Sequence, residues 1–144
     1  MTPELIADRL RRFLLVLAAF ALLTTLAELW LVEHTQETLQ WIPFILCGIG
    51  LVTIVAALLR PGNLTLITLR VAMAIVALGG LVGVGVHLLK NLEFEQEIRP
   101  NAATGTLLMN ALKGAAPFLA PGALVFAALL ALAATYRDPR LDRV

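Results

Sequence analysis

Four long apolar runs, residues 13–32, 41–59, 71–89 and 115–136, are separated by short clusters of charge. Glu28 alone interrupts the first and His87 the third; the second and fourth carry no charge. Each run has about 20 residues and, as a helix rising 1.5 Å per residue, spans about 30 Å, the thickness of a bilayer core. A helix satisfies its backbone hydrogen bonds within one segment, as lipid requires. The apolar–polar alternation of barrel strands is missing. The pattern predicts an all-α fold: one membrane domain over residues 1–144, a bundle of four transmembrane helices.

The segments between the runs differ in kind. The first outer loop, 33–40, is short, which makes the first two helices antiparallel neighbours. Pro61-Gly62-Asn63 is a turn signal between the second and third runs. Residues 64–69 are apolar with threonines, suited to the interface or to an extension of the third helix. The one long connection, residues 90–114, contains Leu107, Leu108, Ala111 and Leu112 at helical spacing. Thr104 or Thr106 is placed to cap a short helix there and Gly114 to end it. The expectation is an amphipathic helix lying on the outer surface between spans three and four.

Composition narrows the class. The chain is 60% hydrophobic and 15% charged, against about 25% charged in soluble domains. Its mean hydropathy is +0.89. So few polar residues cannot cover a soluble body of 15.5 kDa. A soluble enzyme, a nucleic-acid module and a disordered tail are excluded. The single cysteine, Cys47, permits neither an intramolecular disulfide nor a CxxC redox site. No G-x-S-x-G, H-E-x-x-H or P-loop is present, so no enzymatic activity is expected.

Net charge is only +1, but the charges are sorted. Arg9, Arg11, Arg12, Arg60, Arg70, Arg137, Arg140 and Arg143 fall on one side of the four spans; Lys90, Arg99 and Lys113 fall on the other. The positive-inside rule then puts both termini in the cytoplasm. Glu28, Glu33, Glu37, Glu93, Glu95 and Glu97 gather at the outer side, with Glu4, Asp8, Asp138 and Asp142 inside. Trp30 and Trp41 flank the first outer loop, and Tyr136 sits at the inner boundary, where amphipathic rings favour the interface. Arginines before the first run resemble a signal peptide, yet the run outlasts a typical signal core and has no A-x-A site before Glu28, so it is read as a retained span.

The rare polar and special residues define the candidate chemistry. Glu28 and His87 lie inside predicted spans, each about one turn from the outer end. They could meet across helices one and three to carry a proton or hold a metal, or snorkel, or lock the bundle as a polar pair. His34 adds a second outer imidazole. A haem between His34 and His87 is conceivable, but with no C-x-x-C-H it ranks below a divalent metal held by His34, His87 and outer glutamates. In segment 93–97, an extended chain puts Glu93, Glu95 and Glu97 on one face. A helix aligns Glu93 with Glu97, and His87, Asn91 and Glu95 in a second row. Either this group attracts cations or it is a solvated acidic loop. Gly79 and Gly83 form GxxxG, which serves packing inside the bundle or homodimerisation. Pro117 and Pro121 either shape the start of helix four, with Pro121 kinking it, or break it so that free carbonyls line a site.

Several stretches together carry a resemblance: His87 followed by Asn91-Leu92-Glu93-Phe94-Glu95, then Ala111-Leu112-Lys113-Gly114-Ala115-Ala116-Pro117, Leu119-Ala120-Pro121-Gly122 and Thr135-Tyr136-Arg137-Asp138-Pro139. Over roughly its C-terminal half, the chain resembles a group of small bacterial four-span membrane proteins with no established activity. The resemblance implies a bacterial inner membrane. In that group the final motif often carries a histidine where this chain has Asp138, which argues against an inner-face histidine site. Three functions stay open: a non-enzymatic accessory or scaffold subunit, a metal- or proton-binding sensor using the outer Glu/His group, and a small oligomeric transporter. Small multidrug transporters also have four spans and a glutamate in the first, but that glutamate belongs near mid-membrane and their dual insertion needs little charge bias. The expected partners are the lipid bilayer and either further copies of the chain or a larger membrane complex.

Overall fold

The computed structural model describes residues 2–114 and 119–141. Within them lie five α-helices: α1 (Pro3–Leu31), α2 (Ile42–Leu59), α3 (Asn63–Ile98), α4 (Thr104–Leu112) and α5 (Leu119–Ala134). A 3₁₀ turn, Thr38–Trp41, leads into α2, and the described residues contain no strand. Helices α1, α2, α3 and α5 enclose one core, while α4 packs on α3 alone. α5 lies between α1 and α3, α2 closes the other side, and α1 and α3 do not pack on one another.

The helix ends follow from local chemistry. Thr2 caps α1, its Oγ1 accepting from the Leu5 N–H at 3.4 Å, with Pro3 in the first turn and Glu4 facing the positive end of the dipole. α1 therefore starts ten residues before the apolar run that predicts its span. At its other end Glu33 adopts φ 52°. The His34 N–H reaches the Leu29 carbonyl at 3.0 Å and the Glu33 N–H the Trp30 carbonyl at 3.2 Å. That is a Schellman ending in which glutamate occupies the left-handed position usually given to glycine. Gln40 Oε1 then accepts from the Gln36 and Glu37 N–H groups at 2.7 and 3.1 Å, fixing the outer loop.

α3 runs past the apolar run 71–89 at both ends. Its 36 residues, about 54 Å at 1.5 Å each, include both the threonine-bearing 64–69 stretch and the acidic 93–97 segment. Residues 90–98 of the expected long connection thus belong to α3, and the link to α4 is residues 99–103. The cap of α4 is also not as expected: Ala103 holds the N-cap position with no side-chain hydrogen bond, so neither Thr104 nor Thr106 caps it. Leu107 and Ala111 are buried against α3, so α4 folds back along the end of that helix, with Leu108, Met109 and Leu112 exposed.

Small residues decide how closely the helices approach. α5 turns Ala127, Ala128, Ala131 and Ala134 into the core, against Ala18 and Leu22 of α1 and Leu69, Met73 and Val76 of α3. Small residues at the contact let the helix backbones come close and pack by dispersion. A Cβ on Gly80 would lie 2.8 Å from the Pro121 carbonyl oxygen and 2.8 Å from Val125 Cγ2, both on α5. Gly83 faces Pro121 in the same seam, whereas Gly79 faces Leu46 of α2. The two glycines of the GxxxG pattern therefore serve two different neighbours, and the tightest approach of α3 to α5 belongs to Gly80. Pro121 is buried in the first described turn of α5; Pro117 lies outside the described residues.

Candidate functional site

Polar side chains collect at the two ends of the bundle. At the arginine-rich end, α5 finishes at Ala134 and the chain turns through Arg137, whose φ is 47°. An L-residue there costs on the order of 1 kcal/mol. The turn directs the Arg137 carbonyl to Arg11 Nη2 of α1 at 3.0 Å. It also sends Asp138 inward, leaving that residue only 2% exposed.

Around Asp138 the contacts are dense. Arg140 Nε donates to Oδ1 and Arg140 Nη2 to Oδ2, both at 2.8 Å, and the Arg140 N–H donates to Oδ1 at 3.0 Å. Arg11 Nε stands 3.4 Å from Oδ2. Arg140 Nη2 also reaches Asp8 Oδ1 of α1 at 3.1 Å, and Asp8 pairs with Arg12 at 3.1 Å. Burial alone would push the Asp138 carboxyl up. The hydrogen bonds from Arg140 and the charges of Arg140 and Arg11 outweigh it and hold the group below its ordinary 3.8. Arg140 is raised in return, chiefly by its side-chain hydrogen bond to Asp138. Beside the cluster, Arg70 of α3 donates through Nε to Thr135 Oγ1 at 2.9 Å and through Nη2 to the Thr135 carbonyl at 3.3 Å. The arrangement ties the start of α1 and the body of α3 to the turn after α5. The cavity it borders, reached by Leu15, Ala57 and Leu66, measures about 20 Å³, room for a single water molecule.

At the opposite end the Schellman turn carries His34 to α3. The His34 and His87 rings lie 6.4 Å apart between centroids, tilted by 35°. Both residues are half-buried. Glu28 is also half-buried; the ring brought to His87 from the α1 side is that of His34. α1 and α3 are diagonal in the bundle, so a residue beyond the end of α1 crosses the gap where one within it does not.

The acidic segment divides by helix face. Asn91 and Glu95, one turn apart, are buried under α4. Asn91 Nδ2 donates to the Ala111 carbonyl at 3.0 Å, and Glu95 Oε2 accepts from Asn110 Nδ2 at 3.2 Å. Arg99 stands 3.6 Å from Glu95. Gly114 leaves room for Asn91: a Cβ there would lie 2.6 Å from Asn91 Cγ. Glu93 and Glu97 remain exposed on the other face. The three glutamates therefore do not share one site. Among the described residues, no group of three or more His, Cys, Asp and Glu side chains is placed to hold a metal ion.

Among the described residues these features define an all-helical protein with three helices, α1, α2 with its leading turn, and α3, long and apolar enough to cross a membrane. Compared with protein families, curated proteins and solved structures, the chain matches none of them.

The sequence reading missed the Asp138 cluster. Its signal was present in the spacing of Asp8, Arg11 and Arg12, which puts two arginines one turn after an acid, and in Asp138 being one of only 10 acidic residues. Nothing in the pattern announces that Arg137 takes a left-handed conformation and turns Asp138 inward.

Proposed function

We propose that this chain is an integral membrane protein of the bacterial inner membrane, with four spans formed by α1, α2, α3 and the α5 segment, and both termini in the cytoplasm. Its role is that of a non-enzymatic accessory or scaffold subunit. The observation that carries the reading is the apolar skin of the bundle. Phe20 of α1 is 64% exposed, Val52 of α2 70%, Val82 of α3 66% and Phe126 of α5 60%. Large apolar side chains exposed on every side of a bundle suit lipid and not water. The internal polar groups support the scaffold role: Asp138, Arg140, Arg11 and Asp8 bind one another around a water-sized space.

The test is purification of the full chain from membranes in a mild detergent, followed by native mass spectrometry. A complex with further copies or with other subunits is the expected result. Recovery of a bare monomer under the mildest conditions overturns the scaffold reading.

The approach of His34 to His87 favours a second reading, a proton- or metal-binding sensor at the outer end. Two imidazoles from separate segments supply two ligands for a borderline metal such as zinc or copper. Stoichiometric metal in the purified protein, lost in His87→Ala, supports it. Thermal stability unmoved by either metal refutes it.

A further inference from the structure

We propose that the inner corner formed by Arg70, Thr135, Tyr136 and Arg137 is a docking site for the headgroup of an anionic phospholipid. The inference rests on the membrane reading above and adds a lipid class to it.

Three arginines at this end are already neutralised. Asp138 and Asp8 take Arg11, Arg12 and Arg140 into ion pairs. Arg70 and Arg137 join no ion pair among the described residues. Arg70 spends Nε and Nη2 on the neutral Thr135 oxygens, which fixes its guanidinium beside the turn and leaves N–H donors over. Arg137 follows two residues later, its guanidinium carbon 5.7 Å from the centre of the Tyr136 ring. Arg70, Tyr136 and Arg137 are all exposed.

The composition of the corner matches a lipid. A cation held at Thr135 and a second one two residues further along the chain suit a phosphate, which accepts several charge-assisted hydrogen bonds. Tyr136 is 68% exposed, and Ile67 and Val71 of α3 flank Arg70 at 46% and 56%. A ring at the interface and an apolar helix face below it suit the glycerol and acyl regions of the same molecule. A free anion would use the arginines and leave these apolar surfaces in water. Basic pockets between helices on the cytoplasmic side are a known physical solution for anionic headgroups.

The experiment uses the full purified chain in nonionic detergent micelles doped with phosphatidylglycerol or phosphatidylcholine, and reads bound lipid by native mass spectrometry. Phosphatidylglycerol is expected to be retained in preference. Each basic group near a membrane surface contributes about fivefold, so Arg137→Gln should reduce the preference about fivefold, and the Arg70→Gln/Arg137→Gln pair should abolish it. Arg9→Gln is the control for the diffuse positive field, since Arg9 lies on the side of α1 away from Arg11 and the turn. Retention of both lipids equally, or a loss with Arg9→Gln as large as with Arg137→Gln, overturns the site. Displacement by millimolar inorganic phosphate overturns the lipid assignment as well. Alkaline carbonate extraction of the same membranes separates the two levels. Release of the protein refutes the membrane reading and this site with it, whereas retention without a phosphatidylglycerol preference refutes the site alone.

Discussion

Replacing Asp138 by asparagine should destabilise the protein by about 2–3 kcal/mol. Removing one partner of a fully buried ion pair costs about 3–5 kcal/mol, because a charge is left unpaired. The Asp138 side chain is 1% exposed, but those of Arg11 and Arg140 are 19% and 27% exposed, so water recovers part of their solvation. Asparagine also keeps one oxygen for the Arg140 N–H. Asp8→Asn is the comparison. Its side chain is 36% exposed and it holds Arg12 and Arg140 by single contacts, so about 0.5–1 kcal/mol is expected. The assay is reversible unfolding of the purified chain by SDS in mixed micelles. The carboxyl is held below 3.8 in the folded chain, so the folded state binds fewer protons there than the unfolded one. Its contribution is complete above the unfolded value and disappears as pH falls through the lowered one. Asp138→Asn should therefore remove part of the acid sensitivity below about pH 4. A loss under 0.5 kcal/mol, an Asp8→Asn cost equal to that of Asp138→Asn, or an unchanged acid profile would refute the argument.

Four further outcomes follow from the packing and the backbone. Gly80→Ala must part α3 from α5, because its Cβ meets a backbone oxygen at 2.8 Å; a cost of about 1–3 kcal/mol is expected in the SDS assay. Gly48→Ala, with no atom within 4 Å of the added carbon, should be neutral or gain up to about 1 kcal/mol of helix propensity. Arg137→Gly removes a left-handed side chain at φ 47° and should stabilise by up to about 1 kcal/mol, read by the same titration. Asn91→Ala removes the donor to the Ala111 carbonyl, and hydrogen exchange in α4 should rise at least several-fold while the core of α3 stays protected.

The helices were legible in the sequence because apolar runs of membrane length leave the backbone one solution. Residues 41–59 and 71–89 fall inside α2 with its leading turn and inside α3. The ends were less legible, since a helix that continues past its apolar run has no apolar marking there: α1 starts at Pro3, and α3 runs on through polar 90–98 to Ile98. The helical alternative for 93–97 is the one observed, and it places Asn91 and Glu95 in one buried row as that alternative requires. His34 and His87 were legible as one ligand pair among several; that they meet depends on a Schellman turn made with Glu33, a residue type that rarely holds that position. The Asp138 cluster stayed hidden for the same kind of reason, a left-handed Arg137 that no periodicity encodes.

The central claim, that the arginine-rich and acidic ends lie on opposite sides of a membrane, is tested most directly by cysteine accessibility. The native Cys47 is fully buried in the core, so single Gln36→Cys, Glu97→Cys, Arg9→Cys and Arg60→Cys variants can be read over a silent background. A membrane-impermeant maleimide applied to intact cells with a permeable outer membrane should label positions 36 and 97 and leave 9 and 60 unlabelled until the inner membrane is opened. Labelling of 9 or 60 in intact cells, or equal labelling of both ends, would contradict the account.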